Sequence, residues 1–256
     1  MVVEQPKILV VSAHAADFCS RAGGTIVNYT KSGSDVLIID LTYGERGESN
    51  SLWMTGKQIT LEEVKSTREK EAINAAKILG AKIHFMDFDD NPLIVDKDRY
   101  WKLVDEVRKF KPEILLTHWL EDPLNPDHYI ATNAIIQACV EATDPGVRPE
   151  TNIVIFPEIF LFEPSVPSNE LSNFRPDTFI DISSVFEVKL EALRAFPTQS
   201  GLSELYSDWG RFRAHQAVVR HSVHSLPNMR KIKYAEAFVR YTPWTGELFP
   251  LSLRGC

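Results

Sequence analysis

With 256 residues, 44% of them hydrophobic, the chain is long enough to bury a full core. A formal net charge of -7 argues against a nucleic-acid or anionic-membrane binder, because counterion release needs a basic surface. An anionic small molecule must therefore meet local arginines.

The cysteines Cys19, Cys139 and Cys256 are dispersed and lack Cys-x-x-Cys spacing, which suggests a reducing compartment without a thiolate metal site. The Met1–Lys7 segment has no apolar leader, and no run approaches about 18 apolar residues. The expectation is a soluble cytoplasmic protein.

In chain order, Lys7–Ser12 reads as a strand, Ser20–Lys31 as a helix stopped by Ser32-Gly33, and Val36–Leu41 as the next strand. Thr60-Leu61-Glu62-Glu63 has the capping-box pattern, opening a helix that Gly80 ends after Leu79. Strands over Ile83–Phe88 and Glu113–Thr117 alternate with helices over Arg99–Phe110 and Tyr129–Ala142. That βαβαβαβα order requires right-handed parallel crossovers, hence an α/β fold in one large domain. Beyond Pro149, strands are predicted at Ile153–Phe156, Phe160–Phe162, Thr178–Ile182 and Ala235–Arg240. Ser184-x-x-Glu187 is a candidate cap for a helix to about Phe196, Leu202–His221 reads as another helix, and Glu163–Pro176 as a proline-punctuated loop.

The apolar run Ile8–Val11 leads into His14-Ala15-Ala16-Asp17, and Ile114–Thr117 leads towards Asn125-Pro126-Asp127-His128. Both segments then reach the carboxyl edge of a sheet, where open α/β folds bind ligands. Two imidazoles and a carboxylate suit zinc with a further position open. The plainer reading makes His14 a strand-end histidine bonded to backbone and His128 a helix opener. His118, His84, His215, His221 and His224 read as structural or exposed.

Several motifs lie in one order along the chain: Ala13-His14-x-x-Asp17, Gly23-Gly24-Thr25-Ile26, Thr42-x-Gly44-Glu45-x-Gly47-Glu48, Arg68-x-x-Glu71 running to Leu79-Gly80, and Pro126-Asp127-His128. As a set the chain resembles the LmbE/PIG-L superfamily of zinc-dependent deacetylases over about residues 7 to 197. The resemblance implies a Rossmann-like three-layer fold with a mostly parallel sheet. It implies a single domain over 1–256, with a core over 1–150 and a smaller α+β portion over 151–256 completing the site. It also implies one Zn2+ per chain held by His14, Asp17 and His128, and a homo-oligomer.

The departures redirect the chemistry. The deacetylases of this superfamily read Ala-His-Pro-Asp-Asp-Glu, whose first aspartate is their general base; this chain has Ala16 there. Their His-Pro-Asp-His begins here with Asn125, which donates a hydrogen bond but carries no charge. Ser-Ala-His-Ala-Ala-Asp-Phe and Tyr43-Gly44-Glu45-Arg46-Gly47-Glu48-Ser49 are similar to the hydratase branch, the 4-oxalomesaconate hydratases, which add water to a conjugated C=C bond. That similarity extends to Asp87-Phe88, Asn91-Pro92-Leu93, Glu121-Asp122-Pro123, Phe162-Glu163-Pro164 and Ala235-Glu236-Ala237-Phe238.

Within that branch the expected function is a zinc-dependent hydro-lyase acting on an unsaturated keto-di- or tricarboxylate; the alternative is an N-deacetylase of an N-acetyl sugar or related amide. Glu48 is the candidate acid/base and Asp127 a catalytic candidate that holds the metal site through hydrogen bonds, while Glu45 orients the loop. Arg46 and Arg68 lead as partners for substrate carboxylates, ahead of Arg21, Arg175 and Arg213; Arg21 and Arg175 read better as surface salt bridges. Asn125 and Ser165 complete the substrate candidates, and Tyr43 and Trp53 are candidate pocket walls. The branch has histidine directly after Phe-Glu-Pro, where this chain has Ser165, so either His118 or His215 takes that role or the substrate differs.

Overall fold

The computed structural model describes residues 5–56, 58–166, 170–219 and 232–246. Its elements are β1 (Ile8–Ser12), α1 (Asp17–Ser32), β2 (Val36–Asp40), α2 (Asn50–Trp53), α3 (Leu61–Leu79), β3 (Lys82–Phe85) and α4 (Lys97–Phe110). There follow β4 (Ile114–His118), α5 (Pro126–Ala142), β5 (Glu158–Phe162), β6 (Thr178–Asp181), α6 (Phe186–Arg194), α7 (Leu202–Val219) and β7 (Ala235–Arg240).

Seven strands form one sheet in the order β3-β2-β1-β4-β5-β7-β6. The five from β3 to β5 are parallel, and β7 runs antiparallel to both β5 and β6. The winding reverses between β1 and β4, which opens a crevice at their carboxyl ends. The three-layer α/β architecture follows from strand alternation. Ile8 and Val10 pack with α1, α3 and α6 on one face, and Leu9 and Val11 pack with α4 and α5 on the other.

Helix α1 passes under the sheet around a buried ion pair. Lys189 Nζ lies 2.6 Å from Glu236 Oε1, and Glu236 also accepts the N–H groups of Gly24 (2.8 Å) and Thr25 (2.7 Å) and the Thr25 hydroxyl (2.6 Å). A Cβ on Gly24 would lie 2.6 Å from Ile182 Cγ2, so a larger residue would push α1 away.

Several boundaries differ from the sequence reading. Helix α1 starts at Asp17, not Ser20, because the Asp17 carboxylate accepts the His14 N–H at 2.9 Å and its own N–H returns to the His14 carbonyl. The third strand ends at Phe85; Asp87 and Asp89 take positive φ and turn the chain. Ile153–Phe156 is no strand, although its residues alternate: Ile153 and Ile155 are exposed while Val154 and Phe156 pack on the core. Only the Val154 N–H is tied down, to the Ala142 carbonyl, and pairing with β4 begins at Glu158. Ser184 is not a cap; Val185 precedes α6 without a side-chain capping bond. The short α2 was not expected, and His221, His224 and Cys256 lie outside the described residues. Among the described residues no helix is long and apolar enough to cross a membrane.

Candidate metal centre

Three segments from separate strand ends meet in the crevice. Beyond β1, Asp17 Oδ2 lies 3.3 Å from His14 Nδ1, 3.5 Å from His128 Nε2 and 3.4 Å from His118 Nε2. From the loop after β2, Glu48 brings its Oε1 to 3.4 Å from His14 Nδ1. Donor atoms of His14, Asp17, Glu48 and His128 all lie within 4.8 Å of one another. Gly44 makes this approach possible: it has φ +67, and a Cβ there would crowd both His14 and Glu48 at 3.2 Å.

The donor set fits a divalent cation. His14 Nδ1 and His128 Nε2 are buried without hydrogen-bond partners. The opposite nitrogen of each ring faces a carboxylate: His14 Nε2 lies 3.4 Å from Asp127 Oδ2, and His128 Nδ1 lies 2.8 Å from Asp122 Oδ2. Carboxylates that hold the far nitrogen orient an imidazole lone pair towards a metal. Asp127 is itself fixed by the N–H groups of Asn91 and Leu93, each at 2.9 Å.

Charge supports the same reading. Burial works against a proton on His14, yet Glu48, Asp127 and Asp17 together raise its pKa well above the ordinary value. Burial also opposes ionisation of Asp17, but the Arg21 guanidinium and the imidazoles of His128 and His118 hold its carboxyl well below the usual range. The pocket thus favours positive charge where a cation would sit. Burial and the neighbouring His128 ring push His118 down; its Nε2 accepts the Ala13 N–H at 3.0 Å and its ring stacks on His128.

Asp40, at the end of β2, is fully buried and neither of its oxygens has a hydrogen-bond partner. Burial, reinforced by Asp17, raises its pKa well above 3.8, so the folded protein favours the neutral acid. In the unfolded chain the carboxyl ionises above that ordinary value, and stability is lost as pH rises through it. Asp40→Asn removes this cost. The expected result is a melting temperature higher by about 2–4 °C at pH 7, the effect of about 1 kcal/mol in a domain of this size, with the gain vanishing near pH 3 in calorimetric scans.

The remaining sequence candidates fall in different places. Arg68 is fully buried, and its guanidinium donates to the Tyr43 carbonyl, Glu71, Thr198 and Gln199 while Nη2 lies 3.8 Å from Glu48 Oε2. It braces Glu48 from behind, since Gln199 Nε2 also reaches Glu48 Oε2, at 3.3 Å. Arg46 pairs with Asp89 at 3.0 Å and does not line the cavity. Arg21 corrects the surface reading: it is buried, bonds Asp17 Oδ1 at 2.6 Å and lines the cavity. Arg175 is exposed, and Arg213 pairs with buried Glu163.

Glu45 accepts the Tyr43 N–H and the Trp53 indole donates to its carbonyl; burial, with Asp90 nearby, pushes its carboxyl up to about 7. Asn125 precedes α5 and makes no side-chain cap, while Ser165 lines the cavity. His84 and His215 are exposed. Asp122 was missed as a site residue; its signal was an acidic residue six positions before His128.

Comparison with known proteins gives these positions a context. The family model described as PIG-L: GlcNAc-PI de-N-acetylase matches residues 9–139. A 4-oxalmesaconate hydratase of Pseudomonas putida is 40% identical over 243 residues, covering 95% of this chain and 92% of the relative. The chain belongs to the PIG-L family.

Within the family, a diacetylchitobiose deacetylase of Thermococcus kodakarensis is 32% identical over 75% of this chain and 70% of its own length. The crystal structure of the 4-carboxy-2-hydroxymuconate hydratase of Pseudomonas putida superposes with a TM-score of 0.89 at 40% identity, covering 95% of this chain and all of that one. PIG-L family relatives of both kinds are enzymes, and this chain is one. In this PIG-L protein Ala16 lines the cavity and offers no proton acceptor.

Asp122 holds His128 and accepts the Ser165 N–H at 2.6 Å. Asp122→Ala is expected to weaken metal binding about 10- to 100-fold, measured by chelator competition at constant pH.

Proposed function

We propose that the protein is a zinc-dependent hydratase that adds water across the C=C bond of an unsaturated keto-polycarboxylate such as 4-oxalomesaconate. The observation that carries this reading is the exchange of carboxylates at the cavity: Ala16 stands at the deacetylase base position, and Glu48 approaches His14 from another strand end. The 40% identity to a hydratase over nearly the whole chain supports it.

His14, Asp17 and His128 would hold the zinc, leaving Glu48 towards the open side. When bound, the metal supplies Lewis-acid polarisation of an oxygen and a more acidic water. The chain's own groups do the rest. Glu48, oriented by Gln199 and Arg68, accepts a proton from the attacking water at Oε1 and returns it to the adjacent carbon. One C–O and one C–H bond form as the π bond breaks, so the water is fully accounted for. Asp127 and Asp122 keep the two imidazoles aligned throughout. The acidic composition and dispersed cysteines support a cytoplasmic setting, and family resemblance supports a homo-oligomer, which sedimentation would check.

The deciding experiment incubates the zinc-loaded protein with 4-oxalomesaconate and, separately, with N-acetylated sugars. Loss of the conjugated ultraviolet absorbance without amine release is expected. Amine release and no hydration would establish the deacetylase alternative.

A further inference from the structure

We propose that Arg21 binds a carboxylate of the substrate on the cavity wall, and that this contact selects polycarboxylates; the proposal rests on the hydratase reading above. The cleft beside the metal ligands measures about 150 Å³. Among the described residues that line it, Arg21 is the single cation, set against the carboxylates of Asp17 and Glu48.

Arg21 is held in place on three sides. Its Nε donates to the Glu163 carbonyl at 3.1 Å, and Nη1 donates to Asp17 Oδ1 at 2.6 Å and Ser20 Oγ at 3.0 Å. Those three contacts use the Nε and Nη1 hydrogens. Nη2 carries two more and makes one long contact, 3.3 Å to Ser165 Oγ. Ser165 is anchored through its N–H to Asp122 and its Oγ accepts from Nη2, so the outer edge of the guanidinium is held as a fixed donor. A guanidinium immobilised by the fold loses little further entropy on binding a carboxylate.

The other arginines do not compete for this role. Arg68 directs its hydrogens at protein acceptors, and Arg46 lies off the cavity against Asp89. Leu202 and Leu205 give the same cleft an apolar wall along which a carbon skeleton can lie. A ligand with a carboxylate at Arg21 thereby presents its carbon chain to Glu48.

The test uses zinc-loaded enzyme and a non-reacting probe, propane-1,2,3-tricarboxylate, in isothermal titration. Binding by wild type is expected to weaken about 10- to 100-fold in Arg21→Met, the scale of a charge-assisted hydrogen-bond pair. Arg21→Lys should recover only part of it, and Ser165→Ala should lose less than Arg21→Met. Metal content, measured on each variant, is expected to stay at the wild-type level, and KM for 4-oxalomesaconate should rise more than kcat falls.

Equal affinity for the probe in wild type and Arg21→Met overturns the proposal, as does a loss that only tracks missing metal. Should Arg21→Met not fold, wild type alone decides: equal affinity for the tricarboxylate and its monoamides overturns it too. Failure to hydrate 4-oxalomesaconate, with Arg21-dependent binding of the probe, removes the reaction assignment and leaves the carboxylate site standing. Hydration with an unchanged KM in Arg21→Met does the reverse.

Discussion

Glu48→Gln is expected to lower hydration of 4-oxalomesaconate about a hundredfold to ten-thousandfold, the contribution of a positioned general base. The amide keeps the shape of the side chain and its contacts with Gln199 and Arg68, but it cannot take a proton. Two buried imidazole nitrogens and the Asp17 carboxylate remain to hold the metal. Metal content should therefore stay at one ion per chain while kcat falls and KM changes little. Loss of the metal together with activity would make Glu48 a ligand instead, since its donor atom lies in the same 4.8 Å cluster. Turnover within a few-fold of wild type would remove it from the chemistry altogether.

The largest loss of stability is expected from Glu236→Ala. Its carboxylate is nearly inaccessible and gathers four donors: the Lys189 ammonium, the Gly24 and Thr25 N–H groups and the Thr25 hydroxyl. Removing it leaves the ammonium buried with only the Ser20 carbonyl, at 2.7 Å. Breaking a buried pair in this way costs about 3–5 kcal/mol, a fall in melting temperature on the order of 10 °C for a chain of this size. Lys189→Met should cost less, because Glu236 keeps three of its donors. A double-mutant cycle then measures the coupling between them. A melting temperature for Glu236→Ala within about 2 °C of wild type would mean that solvent or a helix rearrangement satisfies the stranded groups.

The same pair shows why some of the fold was legible in the sequence and some was not. Alternating apolar runs and caps such as Thr60 with Glu63 report local structure, and the parallel sheet follows from their order. Ile153–Phe156 had the same alternation and formed no strand, because pairing with β4 starts only at Glu158. Nothing near residue 24 announces that an acid 212 positions later will take its N–H.

The candidate site divides in the same way. His14, Asp17 and His128 stood out because metal-competent residues followed predicted strands, and Glu48 because its loop leaves the same sheet edge. Asp122 did not stand out and Arg21 read better as a surface salt bridge, since a carboxylate or a guanidinium looks alike in sequence whether it is solvated or buried.

The sequence by itself determined the α/β class and the family, because these depend on residue type and order along the chain. Only the tertiary structure decided that Arg21 faces the cavity, that Arg68 is occupied in bracing Glu48, and that Asp122 and Asp127 hold the two imidazoles. Those roles depend on burial and on partners brought from distant segments: a charged side chain is forced into one set of contacts only when folding removes the water that would otherwise satisfy it.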